Sequence, residues 1–282
     1  MYSLQELEQK SIEYRKTVLR IIVQANAGHT GGSLSCVDIL NVLYNRVLNV
    51  SPATFGDPNR DRYIQSKGHS VEALFTVLAD VGFYAESELD TLGRFGSHFI
   101  GHPTRKVPGI EQNTGALGHG LPLAVGTALA AKLDDRSYRV FTLLGDGELT
   151  EGSNWEASMA AAHYKLDNLV VIVDRNGLQI SGPTEEVNGL EPLTAKFEAF
   201  GYAVREVNGN SIPDLVACFD QVPFAPGKPS LVIAKTIKGR GVSFIENAVA
   251  WHHHVPNADE YAVALQELNQ AEEALLEAQS WS

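Results

Sequence analysis

The chain has 282 residues, room for one large domain or two small ones, and its 22 Lys and Arg against 34 Asp and Glu leave a net charge of −12 at pH 7. That balance excludes a general nucleic-acid or anionic-membrane binder, which needs a basic surface, but not a local amide-lined pocket for one phosphate group. Hydrophobic residues at 44% and charged residues at 20% exclude a disordered chain.

Apolar residues Leu4, Leu7, Ile12, Val18, Ile21 and Ile22 recur at helical spacing and predict a helix over 4–26. Gly28, Gly31 and Gly32 are expected to stop it, and Ser33 or Ser35 to cap a second helix over 35–49. Arg62–Ser66 reads as a short strand running into Lys67-Gly68-His69, and 70–82 as a helix. Residues 118–133 are apolar on nearly every side, which predicts a buried helix. Arg139–Leu144 is an apolar strand ending in Gly145-Asp146-Gly147; a helix at 152–164 leads to a second apolar strand, Asn168–Val173, ending in Asp174-Arg175-Asn176. Strands at Tyr202–Val207 and Ser230–Lys235 and helices at 192–200 and 211–220 follow. An acidic amphipathic helix from Asp259 to Gln279 offers Leu265, Leu268, Leu275 and Leu276 for docking. Continuous apolar strands alternating with helices predict a doubly wound, mainly parallel α/β sheet with helices on both faces. Ligands bind such sheets at the carboxyl ends of the strands. With no repeat, low-complexity stretch or long linker, a single domain over 1–282 is expected.

Only Cys36 and Cys218 occur, without a C-x-x-C, so no disulfide framework is expected and a reducing cytoplasm fits. The N-terminus, MYSLQELEQKSIEYRK, is charged and lacks the apolar core of a signal peptide. No apolar run reaches the roughly 18 residues of a membrane span.

The chemistry concentrates at Asp146 and Asn176. They lie about one βαβ unit apart, at the ends of two strands joined by a crossover helix, so both are expected at one sheet edge. A carboxylate and an amide oxygen suit Mg²⁺, with Ca²⁺ or Mn²⁺ as alternatives, the shell being completed by water and phosphate oxygens. Gly145 and Gly147 leave backbone amides open to a phosphate, and the following helix N-terminus favours an anion. An ordinary strand-end turn carrying a solvated Asp is the bland alternative. The run His252-His253-His254 invites a zinc site, but adjacent residues rarely aim at one ion and the spacing of structural zinc sites is absent.

The segment GDGELTEGSNWEASMAAAHYKLDNLVVIVDRNGLQISGPTEEV resembles the thiamine diphosphate motif, which begins Gly-Asp-Gly and ends on a strand with Asn. Over about residues 10–260 the chain resembles transketolases, in particular the N-terminal subunit of split ones. GHTGGSLS is similar to the family's Gly-His-Pro-Gly-Gly-Ser, DRYIQSKGH to its Ser-Lys-Gly-His, and GHPTRKVPGIEQNTGALGHGL to its Gly-His-Pro followed by a Gly-x-Leu-Gly loop. WHHHVP stands where the family has its last cofactor-site histidine.

The resemblance implies a thiamine diphosphate-binding fold of the pyrophosphate (PP) type. It implies that Asp146, Asn176 and the main-chain carbonyl of Leu178 ligate the metal, and that Gly147 faces the diphosphate. It places His69 and His252 near the diphosphate and the reacting centre, His29 and His102 at the donor-sugar hydroxyls, Gly115, Ala116 and Leu117 along the cofactor rings, and Ile180 on the thiazolium. Glu151 and Glu156 resemble the acidic pair that links active sites across the subunit interface. Ketol transfer moves protons to and from sugar hydroxyls, work suited to imidazoles titrating near neutrality. The electron sink belongs to the cofactor. Thr30 departs from the usual proline, Arg175-Asn176-Gly177 from the usual pairing, and His119 from a frequent glutamine. These departures bear on which sugar is used more than on cofactor binding. His163 is expected to be structural, and His98 and His254 carry no assigned role.

Thiamine catalysis also needs a pyrimidine-binding domain with a catalytic glutamate, and no second set of alternating strands and helices follows the first. The resemblance thus implies a partner chain, the C-terminal transketolase subunit, in an α2β2 heterotetramer acting on sugar phosphates. A pentose-phosphate transketolase is expected, with a specialised ketol transferase as alternative. Other readings are the α subunit of a thiamine-dependent 2-oxo acid dehydrogenase or decarboxylating ligase, and a noncatalytic cofactor-binding protein. A dinucleotide-binding Rossmann protein fits worst, since no G-x-G-x-x-G follows the first strand.

Overall fold

The computed structural model describes residues 2–280, with side chains as far as 278. Strands β1 (Arg62–Gln65), β2 (Val140–Gly145) and β3 (Leu169–Arg175) are followed by a small antiparallel hairpin, β4 (Leu178–Gln179) and β5 (Gly182–Pro183), and then by β6 (Ala203–Asn208) and β7 (Ser230–Lys235). The main sheet has the order β1-β2-β3-β7-β6, every pair parallel. Helices are α1 (Leu4–Ala25), α2 (Thr30–Ser35), α3 (Val37–Val42), α4 (Val71–Asp80), α5 (Gly120–Leu133), α6 (Gly152–His163), α7 (Thr184–Asn188), α8 (Leu193–Phe200), α9 (Ile212–Phe219) and α10 (Ala258–Ser280).

Strand periodicity splits the core in two. In β3, Val170 and Ile172 join the apolar cluster containing residues of α1, α3, α4 and α9, while Leu169, Val171 and Val173 join the cluster with α5, α6 and α8. A strand buried on both faces reads as an unbroken apolar run for this reason, and each such side chain contributes on the order of 2 kcal/mol. The edge strand β6 instead carries exposed Arg205 and Glu206, charges that discourage further strand pairing.

Five expectations are corrected. The helix-stopping role falls to Asn26, left-handed at φ 48°, a conformation asparagine tolerates; Gly31 and Gly32 lie inside α2. In place of the helix expected over 35–49, the chain turns helical earlier, at Thr30 in α2, breaks at Cys36, resumes as α3 and closes in a π-turn over Leu43–Val47. Ser33 and Ser35 cap nothing, their hydroxyls being turned to Glu72 and Asp174. Helix α5 is covered on one side only, leaving Leu123 39% and Leu133 78% exposed. At the tail, Ala264 and Leu268 dock, Leu265 and Leu275 are half-buried, and Leu276 is exposed; Lys16 of α1 pairs with Glu272 at 2.7 Å.

In the β2–β3 register Gly145 stands opposite Asp174, and the Asp146 N–H donates to the Asp174 carbonyl at 3.2 Å. Asp146 and Asn176 therefore leave neighbouring strands at one edge.

Candidate active site

A cleft of about 400 Å³ opens at that edge. Asp146, 1% exposed, forms its floor. Its Oδ1 accepts the Gly147 N–H at 2.8 Å, and its Oδ2 accepts the Gly177 N–H at 2.6 Å and Arg175 Nη1 at 3.0 Å. Burial raises the Asp146 carboxyl and the Asp174 charge adds to this, while Gly177 and Arg175 oppose them. Asn176 Oδ1 accepts the Leu178 N–H at 3.1 Å, and the Leu178 carbonyl accepts Lys238 Nζ at 3.3 Å.

Glycines let three segments meet. A Cβ on Gly68 would stand 2.7 Å from the Gly115 nitrogen, and one on Gly147 2.9 Å from Gln179 Cβ. Gly115 has φ +128°, and a Cβ there would fall 2.4 Å from the His102 ring. Gly115→Ala is accordingly expected to cost about 1–3 kcal/mol, read from the urea midpoint, through combined backbone strain and clash; an unchanged midpoint would show that the loop yields freely.

Histidines form the wall. The His29 ring lies 5.2 Å from His69, 6.2 Å from His102, 5.6 Å from His252 and 4.5 Å from His253, and His69 lies 5.3 Å from His252. Burial, then the neighbouring His253 and His102, depress His29 to about 4. Burial and Lys238 depress His252 to about 3. Burial and Lys67 hold His69 well below its usual range, and burial lowers His102. The expectation of imidazoles titrating near neutrality is thus corrected for the protein alone: burial disfavours the charged form of all four rings, and Lys67, Lys238 and neighbouring imidazoles add to it at His29, His69 and His252. Lys238 Nζ lies 2.9 Å from His252 Nδ1. As an ammonium it can only donate, which places the His252 proton on Nε2.

The cleft is lined by His29, His69, His102, Gly115, Leu117, Gly145, Asp146, Gly147, Glu151, Asn176, Leu178, Ile180 and His252. Ala116 is exposed and lies outside the lining. Glu156, His163, His98 and His119 are exposed elsewhere. Thr30, the departure from proline, donates its hydroxyl to the His254 carbonyl at 2.6 Å, tying the two histidine segments together. His252 and His253 both flank the His29 ring, while His254 packs on Trp251 at 4.4 Å.

Sequence reasoning missed Lys67, Lys238, Glu148 and His253. Lys67 is buried in an ion pair with Asp174; Glu148 accepts the Gly118 and Gly145 N–H groups at 2.9 and 3.0 Å. Lys238, beside Gly239 just past the end of β7, carried a signal: a cation in a glycine turn at a strand's carboxyl end.

The donor set fits a divalent cation shared with a diphosphate. Among the described residues no three His, Cys, Asp or Glu side chains group as metal ligands. A cation here finds one carboxylate, one amide and one main-chain oxygen, and needs the rest from water and phosphate. Arg175 and Lys238 already sit on two of those oxygens. His29 Nδ1 and Gln179 Oε1 are buried without a hydrogen-bond partner, as a site shaped for a polar ligand requires.

The chain matches the family described as transketolase, thiamine diphosphate binding domain, over residues 8–275. It is 48% identical over 272 residues to one of the subunits of the apulose-4-phosphate transketolase of Phocaeicola vulgatus, covering 96% of this chain and 97% of that one. It is 40% identical over 264 residues to the 6-deoxy-6-sulfo-D-fructose transketolase subunit SqwG of a Clostridium species, covering 93% and 96%. A transketolase mutant structure from Pichia stipitis superposes with a TM-score of 0.85 at 30% identity, covering 93% of this chain and 40% of that one; the chain thus spans less than half of that solved relative.

Proposed function

Because this chain belongs to the transketolase family through its thiamine diphosphate-binding domain, we propose that it is the cofactor-anchoring subunit of a two-chain transketolase. That enzyme moves a two-carbon ketol unit from a ketose donor to an aldose acceptor. One observation carries the reading: the Asp146, Asn176 and Leu178 ligand set and four histidines share a single cleft, in a chain that aligns end to end with relatives named as transketolase subunits.

In this reading Asp146, Asn176 and the Leu178 carbonyl hold Mg²⁺, and Gly147, His69 and Lys238 face the diphosphate. Thiamine diphosphate, when bound, supplies the electron sink for the ketol unit. The protein's own work is proton handling. Neutral imidazoles offer one acceptor and one donor each, so His29 and His102 can take a proton from a donor hydroxyl and return it. Lys238 keeps His252 in one tautomer, its Nε2–H free to donate. Burial and Lys67 lower Lys238 itself to about 8, so it is still mostly charged at pH 7.

A companion chain with the pyrimidine-binding domain and its glutamate completes the site, in an α2β2 arrangement. The rim supports this. Ile180 is 74% exposed at the cleft mouth, and Glu151, also exposed, lines the cleft. No helix among the described residues is long and apolar enough to cross a membrane, and we place the enzyme in the cytoplasm. Relatives named for a sugar phosphate and a sulfo-sugar favour a specialised transferase whose donor is a ketose with an anionic end.

Mixing the chain with its companion should give Mg²⁺-dependent ketol transfer from xylulose 5-phosphate or a related ketose phosphate, while full activity of the chain alone overturns the split reading. Turnover of a 2-oxo acid instead would indicate a dehydrogenase subunit. Within the active complex, His102→Ala is expected to lower kcat/KM for donor by about 10–1,000-fold with little change in cofactor Kd; a parallel loss of cofactor affinity would make His102 a diphosphate contact.

A further inference from the structure

Beneath His29 lies a carboxyl that the mechanism above does not use. Glu72, in the first turn of α4, is 1% exposed and has no cation partner among the described residues. Its Oε2 accepts the Ser33 hydroxyl at 2.7 Å and its Oε1 the His29 main-chain N–H at 3.3 Å. A Cβ on Gly28 would stand 2.9 Å from that Oε1, so the chain must be bare one residue before His29 for the carboxyl to reach it. His29 enters α2 without a side-chain cap of its own; α4 supplies the acceptor instead.

We propose that Glu72 is the positioning residue of His29, a clamp beneath the donor-side imidazole whose charge state couples its placement to pH. The role of His29 rests on the transketolase reading; the clamp does not. Burial pushes the Glu72 carboxyl up to about 7 against the opposing hydrogen bonds. A buried carboxylate with no counter-ion pays the full desolvation cost and keeps its proton until near neutrality.

The charged groups on the neighbouring elements are otherwise engaged. Lys10 and Arg20 of α1 pair with Asp80 and with Glu86 and Asp90. Asp38 of α3 is bound to Arg15. His69 of the Gly68–Ser70 turn and His29 itself are kept neutral by burial. Above pH 7 the carboxylate accepts from both the His29 amide and Ser33; below it, protonation weakens one of these bonds and frees the loop.

The test uses the full chain and Glu72→Gln, which keeps an acceptor oxygen but cannot ionise. Followed by NMR between pH 5.5 and 8.5, the His29 backbone amide should show an inflection near pH 7 in the native chain and none in Glu72→Gln. With the companion chain, cofactor and xylulose 5-phosphate, Glu72→Ala should lower donor kcat/KM by about 10–100-fold with cofactor Kd within about threefold. Glu72→Gln should keep donor kcat/KM at pH 6 and lose its change between pH 6 and 8. No amide inflection, an inflection that persists in Glu72→Gln, or a Glu72→Gln rate profile that overlays the native one would overturn the clamp. If the native complex transfers no ketol unit, the transketolase reading fails while the amide titration still decides the clamp. If Glu72→Ala does not fold, Glu72→Gln decides alone.

Discussion

Asp146→Asn is expected to weaken Mg²⁺-dependent binding of thiamine diphosphate by about 100-fold or more, measured by calorimetric titration, while the fold survives. The substitution removes the only carboxylate among the three proposed metal ligands, and losing one charge-assisted contact of about 3 kcal/mol corresponds to that factor. The fold survives because the Asn oxygen can still accept the Gly177 N–H, and because Arg175 keeps Thr184 at 2.6 Å, Glu185 at 2.6 Å and Glu191 at 3.1 Å. Asp146→Ala is a harsher change, since it strands the half-buried Gly177 N–H as well. Comparing the two separates ligand loss from loop loss: if Asn and Ala weaken cofactor binding together and the melting temperature falls only for Ala, Asp146 is a metal ligand. Cofactor affinity unchanged in a folded Asp146→Asn protein would remove it from the site.

The residues behind that prediction were legible because strand burial writes itself locally. β2 and β3 are unbroken apolar runs, and a right-handed crossover returns the second strand parallel to the first. That fixes Asp146 and Asn176 at one edge without knowledge of any contact. What stayed hidden depends on distant parts of the chain. Lys67 finds Asp174 across 107 positions and Glu72 finds His29 across 43, and no periodicity carries such pairings. The serines of α2 look like caps because Ser commonly caps helices, yet both hydroxyls are claimed by buried acids. Helix α5 shows the opposite case: its composition is apolar on nearly every side, but composition cannot say whether this chain or another covers Leu123 and Leu133. His253 was legible only as one of three adjacent histidines, and its approach to His29 comes from the turn over Val249–His252.

Lys67→Met should be the most destabilising single change in the site, costing about 3–5 kcal/mol and roughly 10 °C in melting temperature. Lys67 and Asp174 are both buried, and among the described residues no other cation contacts Asp174: its remaining side-chain partners there are the hydroxyls of Ser35 and Thr236 and the amide of Asn176. Burial alone would raise the Asp174 carboxyl; Lys67 overrides it and holds the group below the usual range. Burial likewise lowers Lys67, and Asp174 overrides that too, keeping it raised. The signs follow. Asp174 contributes stability above its unfolded pKa of 3.8 that is lost as pH falls through its lower folded value, and Lys67 contributes stability below 10.5 that is lost as pH rises through its higher folded value. Between these limits the native pair adds no pH dependence, so the penalty of Lys67→Met should be small in acid, where the stranded Asp174 keeps a proton, grow as pH rises, and level off only once that carboxyl, raised by burial, has ionised. The double variant Lys67→Met/Asp174→Leu should recover much of the loss, since an apolar pair of similar volume leaves no uncompensated charge. A single variant within about 1 kcal/mol of the native protein, or a double variant no better than the single, would mean the pair is screened by water and not buried as seen. The cleft should register the change as well: Lys67 is the leading charge depressing both His69 and Lys238, after burial itself, so both should titrate higher in Lys67→Met, followed by NMR in whatever fraction remains folded.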